Sequence, residues 1–261
     1  SSETSISEEI FATGNYEKRY FDQTLNLFPF DRIKNKNNIF FDVGANSGTF
    51  TLLAAKSGYF NKIVSIEPHF KTFNILRINL LLNNIDYNSD LIKLYNLAID
   101  PIKTKIELEI CEHTSGDNRV RLDNNSHKID LYSENKRKTE LIPCEKLQTI
   151  VEEVSGDKTD KLCWFWIDVQ GAEIRVLQSL KDDMIQNSVF VLEVWEYGLE
   201  RLGNSIEEIG LILKNHYAFN LNFDHPKYRF DAIEAKDIGK YLKNTGIECC
   251  DILFIPKSVL D

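Results

Sequence analysis

The chain has 261 residues, of which 43% are hydrophobic and 27% are charged, and this composition is typical of a soluble globular protein with a full hydrophobic core. The formal net charge of −9 disfavours nucleic acid as a partner, because the overall field repels phosphates. The sequence contains no apolar run of about 18 residues, so it predicts no membrane span. The five cysteines include no C-x-x-C pair, which predicts reduced thiols. The first residues show no signal-peptide pattern, and together these features predict a cytoplasmic protein.

Residues 1–38 predict an N-terminal helical appendage ahead of a main domain at residues 39–261. Apolar side chains recur at helical spacing in this segment and a proline ends the pattern; they are Phe11, Tyr20, Phe21, Leu25 and Phe28, followed by Pro29. No linker or internal repeat divides the remaining chain, so we expect a single large α/β domain.

The stretch that begins at Ile39 predicts a buried strand, a glycine-spaced turn and a helix. Gly44 and Gly48 lack a Cβ, so the backbone of the turn can approach a ligand closely. Asp42 ends the strand, just before the first glycine. A carboxylate repels a pyrophosphate but attracts a cationic group, so the turn favours a nucleotide-like ligand with a positive end.

The next segments continue the same architecture. Residues 62–66 predict a second strand, residues 70–82 a helix, and residues 91–99 a third strand. Alternating strands and helices of this kind form half of a doubly wound sheet. Glu67 follows the second strand, where an acidic residue accepts hydrogen bonds from ribose hydroxyls in such folds.

A long polar insert interrupts the pattern in the middle of the chain. Residues 106–110 alternate strictly and predict a half-exposed strand. Residues 112–140 then lose periodicity, and an insert of this length is usually functional or disordered. His113, at its start, is a candidate mobile base or a solvated loop residue. The basic cluster at residues 136–138 either binds an anionic substrate or is solvated.

The second half predicts two more buried strands that carry carboxylates. Residues 162–169 contain no charge except Asp168, and the run at residues 189–194 is broken only by Glu193. Buried charges are costly unless they are paired or functional. We therefore expect either carboxylate to position a substrate hydroxyl or to accept its proton at the ligand crevice. Glu173 either joins them or serves as a helix N-terminal charge.

Taken together, five motifs resemble the FkbM family of methyltransferases over roughly residues 39–194. They are Phe41-Asp42-Val43-Gly44-Ala45-Asn46-Ser47-Gly48, Ile66-Glu67-Pro68, Asn96-Leu97-Ala98-Ile99, Ile167-Asp168-Val169-Gln170-Gly171-Ala172-Glu173 and Leu192-Glu193-Val194. The resemblance implies a Rossmann-like class I methyltransferase, with a doubly wound, mostly parallel seven-stranded sheet that ends in an antiparallel hairpin. The strands predicted at residues 218–223 and 252–255 fit that hairpin. Gln170 departs from the family, which more often has Glu there.

The resemblance also implies S-adenosylmethionine (SAM) as the cofactor and O-methylation of a small-molecule or glycan acceptor, commonly a sugar or natural-product hydroxyl. The candidate cofactor-binding residues are Asp42, Gly44, Ala45, Asn46, Ser47, Gly48, Thr49, Glu67, Pro68, His69, Phe70, Ala98, Ile99 and Asp168. His69 or Phe70 would flank the adenine, although Phe70 fits the core equally well. The candidate catalytic residues are Asp168, Glu193 and His113, with Asp168 a positioning group first and a base second. No spacing of His, Cys and carboxylate residues matches a transition-metal site, and a loosely held Mg²⁺ at the acidic mouth is left open.

Two other functions fit parts of the pattern. The first is a nicotinamide-dependent oxidoreductase, which Asp42 and the spacing from Gly44 to Gly48 disfavour, because the motif is not G-x-G-x-x-G. The second is a non-catalytic SAM-fold protein that binds a partner through its insert. The presence of carboxylates after four predicted strands argues against the loss of an active site.

Overall fold

The computed structural model describes residues 18–29, 37–121, 130–156, 161–221 and 232–260. Its strands are β1 (Asn37–Val43), β2 (Lys62–Ile66), β3 (Ile92–Tyr95), β4 (Ala98–Ile99), β5 (Lys105–Ile110), β6 (Arg119–Arg121), β7 (Lys138–Glu145), β8 (Lys161–Ile167), β9 (Val189–Trp195), β10 (His216–Asn220), β11 (Ile233–Glu234) and β12 (Cys249–Pro256). Its α-helices are α1 (Lys18–Leu27), α2 (Thr49–Ser57), α3 (Phe70–Leu82), α4 (Leu147–Ser155), α5 (Glu173–Gln178), α6 (Asp182–Gln186), α7 (Glu196–Arg201), α8 (Ile206–Ile212), α9 (Ile238–Thr245) and α10 (Lys257–Leu260).

Eight strands form the main sheet, in the order β11-β10-β12-β9-β8-β1-β2-β3. The central strands are apolar on both faces because helices cover both sides. On β1, Phe41 packs toward α4 and α5, whereas Phe40 packs toward α2 and α3. On β8, Trp166 is 2% exposed and stacks on Phe50 of α2, with ring centroids 3.8 Å apart. The structure confirms the predicted doubly wound α/β fold.

The strand order reverses between β1 and β8, which are parallel neighbours at the centre of the sheet. The backbone N–H of Asp168, just beyond β8, donates to the carbonyl of Val43 at the end of β1, at 3.0 Å. In open α/β sheets a ligand crevice forms outside the carboxyl ends of the strands at such a reversal. The sheet therefore places the predicted site residues along one edge.

The C-terminal strands form the antiparallel pair that the resemblance implied. Strand β12 lies between β9 and β10 and is antiparallel to both. The two-residue β11 pairs with β10 at the edge, so the sheet has one short strand more than the seven that were expected. Ser205 and Glu208 form the capping box that starts α8.

The third strand, predicted at residues 91–99, is instead two strands in different sheets. Strand β3 ends at Tyr95 and pairs with β2, whereas β4 pairs with β7 in a second sheet of order β4-β7-β5-β6. Asn96 lies at the break and its side-chain amide donates to the carbonyls of Glu67 and Pro68, at 2.8 and 2.9 Å. These hydrogen bonds turn the chain away from the main sheet.

The polar insert is not structureless in its described part. It contributes β6 and the first residues of β7, and both pair antiparallel with β5. Strand β7 begins at Lys138, within the insert, and helix α4 follows it and ends at Ser155. The predictions for residues 1–17 and 122–129 lie outside the described residues. None of the described helices is long and apolar enough to cross a membrane.

Buried ion pairs, which we call the insert ion network, attach the insert to α7. The network consists of Glu109, Asp117, Arg119, Arg121, Glu134, Arg137 and Arg201. Glu109 was expected to be exposed on β5, but it is fully buried and accepts hydrogen bonds from Arg121 at 2.8 Å and from Arg201 at 3.1 Å. In the basic cluster, Arg137 pairs with Asp117 at 2.5 Å, whereas Lys138 is largely exposed.

Candidate active site

Two adjoining hollows lie at the carboxyl ends of the central strands, and the insert covers part of both. The first hollow, of about 650 Å³, is lined by residues that include Gly44, Asn46, Glu67, Pro68, Ala98, Ile99, Asp168 and Gln170. The second, of about 770 Å³, is lined by Asp42, Gly44, Ala45, Asn46, Thr49, Phe50, Thr114, Gly116, Asp117, Asp168, Gln170 and Glu193. The shared residues join the hollows into one crevice.

The glycine turn after β1 brings two chain segments unusually close together. Gly44 has a φ of 85°, and a Cβ there would lie 1.8 Å from the carbonyl oxygen of Asp168. Only glycine allows both the left-handed backbone and this approach. Asn46 is also left-handed, with a φ of 48°, and its backbone N–H donates to Oε2 of Glu67 at 2.9 Å. The turn is therefore fixed against the ends of both β8 and β2.

Glu67 occupies the position predicted for ribose recognition. Its side chain is 5% exposed, and Oε1 accepts the backbone N–H of His69 at 2.8 Å while Oε2 accepts that of Asn46. Burial raises the pKa of Glu67 to about 7, although these two N–H groups oppose the shift. Each carboxylate oxygen retains a lone pair that can accept a ligand hydroxyl.

Asp42 lines the second hollow from the end of β1. It is 2% exposed and accepts a hydrogen bond from the hydroxyl of Thr51 at 2.5 Å. The Thr51 hydroxyl also lies 2.7 Å from that of Ser65. Burial raises the pKa of Asp42 to about 7. The side chain is thus held by the neutral hydroxyl of Thr51, and no cation of the described residues forms an ion pair with it.

Asp168 and Glu193 are brought together by the side chain between them. The amide nitrogen of Gln170 donates to Oδ1 of Asp168 and to Oε2 of Glu193, both at 2.8 Å. Burial raises the pKa of Asp168. Burial also raises the pKa of Glu193 well above its usual range, and the nearby Asp168 and Asp251 carboxylates raise it further.

Within the described residues, none of the four predicted crevice carboxylates takes part in a salt bridge. These four are Asp42, Glu67, Asp168 and Glu193. Carboxylates in such surroundings are stabilised by a cationic ligand, which supplies the missing positive charge. Their role in binding such a ligand stays a prediction.

The sequence matches the family described as the methyltransferase FkbM domain over residues 42–221, more than half of the chain. The chain belongs to the FkbM methyltransferase family. The match includes the glycine turn, Glu67, Asp168 and Glu193, which lie together in the crevice. The fold is accordingly that of a class I methyltransferase.

Several solved structures are similar to this FkbM-family protein at low sequence identity. The methyltransferase FkbM of Methylobacillus flagellatus is 14% identical, with a TM-score of 0.44, over 83% of this chain and 43% of its own. A precorrin-6y C5,15-methyltransferase of Geobacter metallireducens is 11% identical, with a TM-score of 0.36, over 92% and 88%. StiE O-MT is 9% identical, with a TM-score of 0.41, over 97% and 81%. No curated protein sequence matches the chain.

Some predicted site residues of this methyltransferase do not line either hollow. His113 is exposed at the start of the insert. Phe70 is 62% exposed at the first position of α3, so it belongs neither to the crevice lining nor to the core. His69 is buried, and its Nδ1 lies 2.9 Å from the hydroxyl of Thr72. The structure therefore offers no ring from this segment as a lining group for an adenine.

Three other predicted residues have structural contacts. The carbonyl of Ser47 accepts a hydrogen bond from the side chain of Asn79 at 2.9 Å. Gly48 precedes α2 with a φ of 90°. Glu173 is fully buried, and its Oε1 accepts the backbone N–H groups of Val169 and Gly171, at 3.1 and 3.2 Å. Glu173 lies in the first turn of α5, as the helix N-terminal interpretation expected, and from there its carboxylate supports the loop after β8.

Sequence reasoning missed two residues that act on the crevice groups, one next to Glu193 and one bonded to Asn46. Asp251 lies opposite Glu193 in the pairing of β12 with β9, and burial raises its pKa to about 7. A lone carboxylate at the start of an apolar run was the signal for it. Ser115, in the insert, donates a hydrogen bond from its hydroxyl to Oδ1 of Asn46 at 3.0 Å. Nothing in the polar pattern of the insert distinguished that serine from its neighbours.

Proposed function

We propose that the protein is a SAM-dependent O-methyltransferase that methylates a hydroxyl of a sugar, a glycan or a natural-product-like small molecule. The observation that carries this proposal is the set of crevice carboxylates without a cationic partner. SAM, when bound, supplies an activated methyl group on a positively charged sulfonium, next to a cationic amino group. The charges of cofactor and crevice are therefore complementary.

The residues present fit this cofactor. Asp42 and the backbone of the glycine turn would hold the methionine end, and Glu67 would accept the ribose hydroxyls in charge-assisted hydrogen bonds. Pro68, Ala98 and Ile99 line the first hollow and offer an apolar surface for the adenine. The close approach of Gly44 to Asp168 leaves no room for a side chain at the turn.

Asp168 and Glu193 would act on the acceptor. Both line the second hollow, next to Asp42 and Thr49. Holding an acceptor hydroxyl in line with the methyl group can supply roughly 7–11 kcal/mol of the barrier reduction. A carboxylate that accepts the hydroxyl proton adds on the order of a hundred- to ten-thousand-fold. We assign Asp168 the positioning role first and the role of base second, and His113 stays a proposal that requires a movement of the insert.

The proposed acceptor is a small molecule or glycan, and the proposed location is the cytoplasm. The cover that insert residues provide over the crevice supports a small acceptor. The described cysteines are free thiols, which supports a reducing compartment. An oxidoreductase is disfavoured because Asp42 would face the phosphates of a dinucleotide, and because the spacing from Gly44 to Gly48 is not G-x-G-x-x-G.

Calorimetric titration with SAM and, separately, with NADH tests the cofactor. We expect heat of binding with SAM alone, and binding of NADH alone would overturn the proposal. A panel of acceptor sugars and glycosides, assayed by release of S-adenosylhomocysteine, then tests the reaction. Release that requires a hydroxyl acceptor supports O-methylation, whereas release that follows only an amine or thiol acceptor contradicts it.

A further inference from the structure

Gln170 has a backbone conformation that an L-residue adopts only at a cost. Its φ is 55°, in the left-handed region, which costs roughly 1–2 kcal/mol for a residue with a Cβ. The following Gly171 has a φ of 105°, and a Cβ there would lie 2.4 Å from the carbonyl carbon of Gly198 in α7. The loop after β8 is therefore tightly held against α7, with the Gln170 side chain directed to the two carboxylates.

Both amide hydrogens of the Gln170 side chain take part in hydrogen bonds. An amide nitrogen carries two hydrogens, and here one is directed to Asp168 and the other to Glu193. The nitrogen, and not the oxygen, must face the carboxylates, because an oxygen there would repel both of them. One neutral group thus connects two like-charged side chains on neighbouring strands.

The surroundings of this pair contain further acids. The groups that face it are Asp42 on β1, Glu67 after β2, Asp117 in the insert, Glu173 on α5, and Asp251 with Cys249 on β12. No lysine or arginine forms an ion pair with Asp168 or Glu193 in the described part of the chain. Like charges this close favour a shared proton, unless donors stabilise both ions.

We propose that Gln170 is a positioning residue that orients the Asp168 and Glu193 carboxyl groups and lowers the pH at which the pair gives up the proton between them. Without the two donors of Gln170 the pair would keep that proton to a higher pH, and it would accept the proton of an acceptor hydroxyl less readily. The role in catalysis rests on the proposed function. The ionisation of the pair is a property of the protein alone.

The test compares three variants by ¹³C NMR of labelled Asp and Glu carboxyl carbons, titrated with pH in the full-length protein. Q170M removes the donors at similar size, and Q170E replaces them with a third carboxylate. Q178E is the matched control, because Gln178 is exposed on α5 and the substitution adds the same charge. Resonances are assigned with Asp168→Asn and Glu193→Gln.

We expect the upper titration midpoint of the pair to rise by about 1 pH unit or more in Q170M and further in Q170E, with no change in Q178E. An unchanged midpoint in Q170M, or an equal rise in Q178E, would overturn the proposal. If Q170M does not fold, Q170E decides by the same criterion. The titration uses neither SAM nor acceptor. A failure of SAM binding would therefore contradict the proposed function without affecting the result of the titration.

Discussion

The insert and the crevice both bury carboxylates, and their surroundings differ. In the insert ion network, Glu109 and Glu134 are fully buried, and arginines approach each of them. In the crevice, Asp42 and Glu67 are nearly as buried, but their partners are hydroxyls and backbone N–H groups. The protein supplies its own countercharge in one region and not in the other. We interpret the acids of the insert ion network as structural, and we expect Asp42 and Glu67, which have no ion-pair partner among the described residues, to bind a cationic ligand.

The largest expected effect tests the structural side of this comparison. Glu109→Ala leaves Arg121 and Arg201 without their buried partner, so we expect the free energy of unfolding to fall by about 3–5 kcal/mol in denaturant titration. Glu107→Ala, on the same strand but half-buried, is the control and should change it by no more than about 0.5 kcal/mol. If both substitutions lowered the free energy of unfolding equally, the insert ion network would not have the structural role that we assign to it.

The next prediction concerns the ligand side. We expect Asp42→Ala and Glu67→Ala each to weaken SAM binding by more than about 100-fold, since each removes charge-assisted contacts with the cofactor. Calorimetry should then detect no binding, while circular dichroism shows a folded protein. Glu67→Gln retains an oxygen for the turn and should have a smaller effect. Full SAM affinity in Asp42→Ala would contradict the assigned role of the crevice.

A third prediction separates acceptor chemistry from cofactor binding. Asp168→Asn retains the size of the side chain but cannot accept a proton as a carboxylate does. We expect turnover to fall by about 100-fold while the dissociation constant of SAM changes little. Equal losses of turnover and of SAM affinity would place Asp168 in cofactor binding alone.

The smallest effect depends on pH and involves Glu173, which supports the crevice loop. Burial raises the pKa of Glu173 to about 7 from an ordinary value of 4.5. Its ionised form therefore costs the folded protein stability above pH 4.5, and this cost grows until about pH 7. Glu173→Gln removes the charge and retains the acceptor oxygen. We expect it to gain on the order of 2 kcal/mol over the wild type at pH 8 and almost nothing at pH 5 in chemical denaturation. A gain that is independent of pH would show that the charge is not the cause.

The sequence pattern predicted those parts of the site that depend on residues close together in the chain. The glycine turn, Glu67, Asp168 and Glu193 follow strands whose apolar runs identify them, and the order of strands in such folds brings their ends together. Burial of Glu109 was not predictable, because its partner Arg201 is 92 residues away in the sequence. The break after β3 was missed for a related reason, since Asn96 satisfies carbonyls of another segment. A local pattern of alternating or apolar residues contains no information about partners that are so distant in the sequence.

The contact between Gly44 and the carbonyl of Asp168 has a further consequence. If cofactor and acceptor bind as proposed, the main-chain contact between Gly44 and Asp168 lies between their two sides and fixes their separation at this point. Exchanges of residues in the insert can therefore alter which molecule is chosen without lengthening the path that the methyl group travels. In the proposed function, the identity of the acceptor and the distance over which the methyl group is transferred can then change independently of each other.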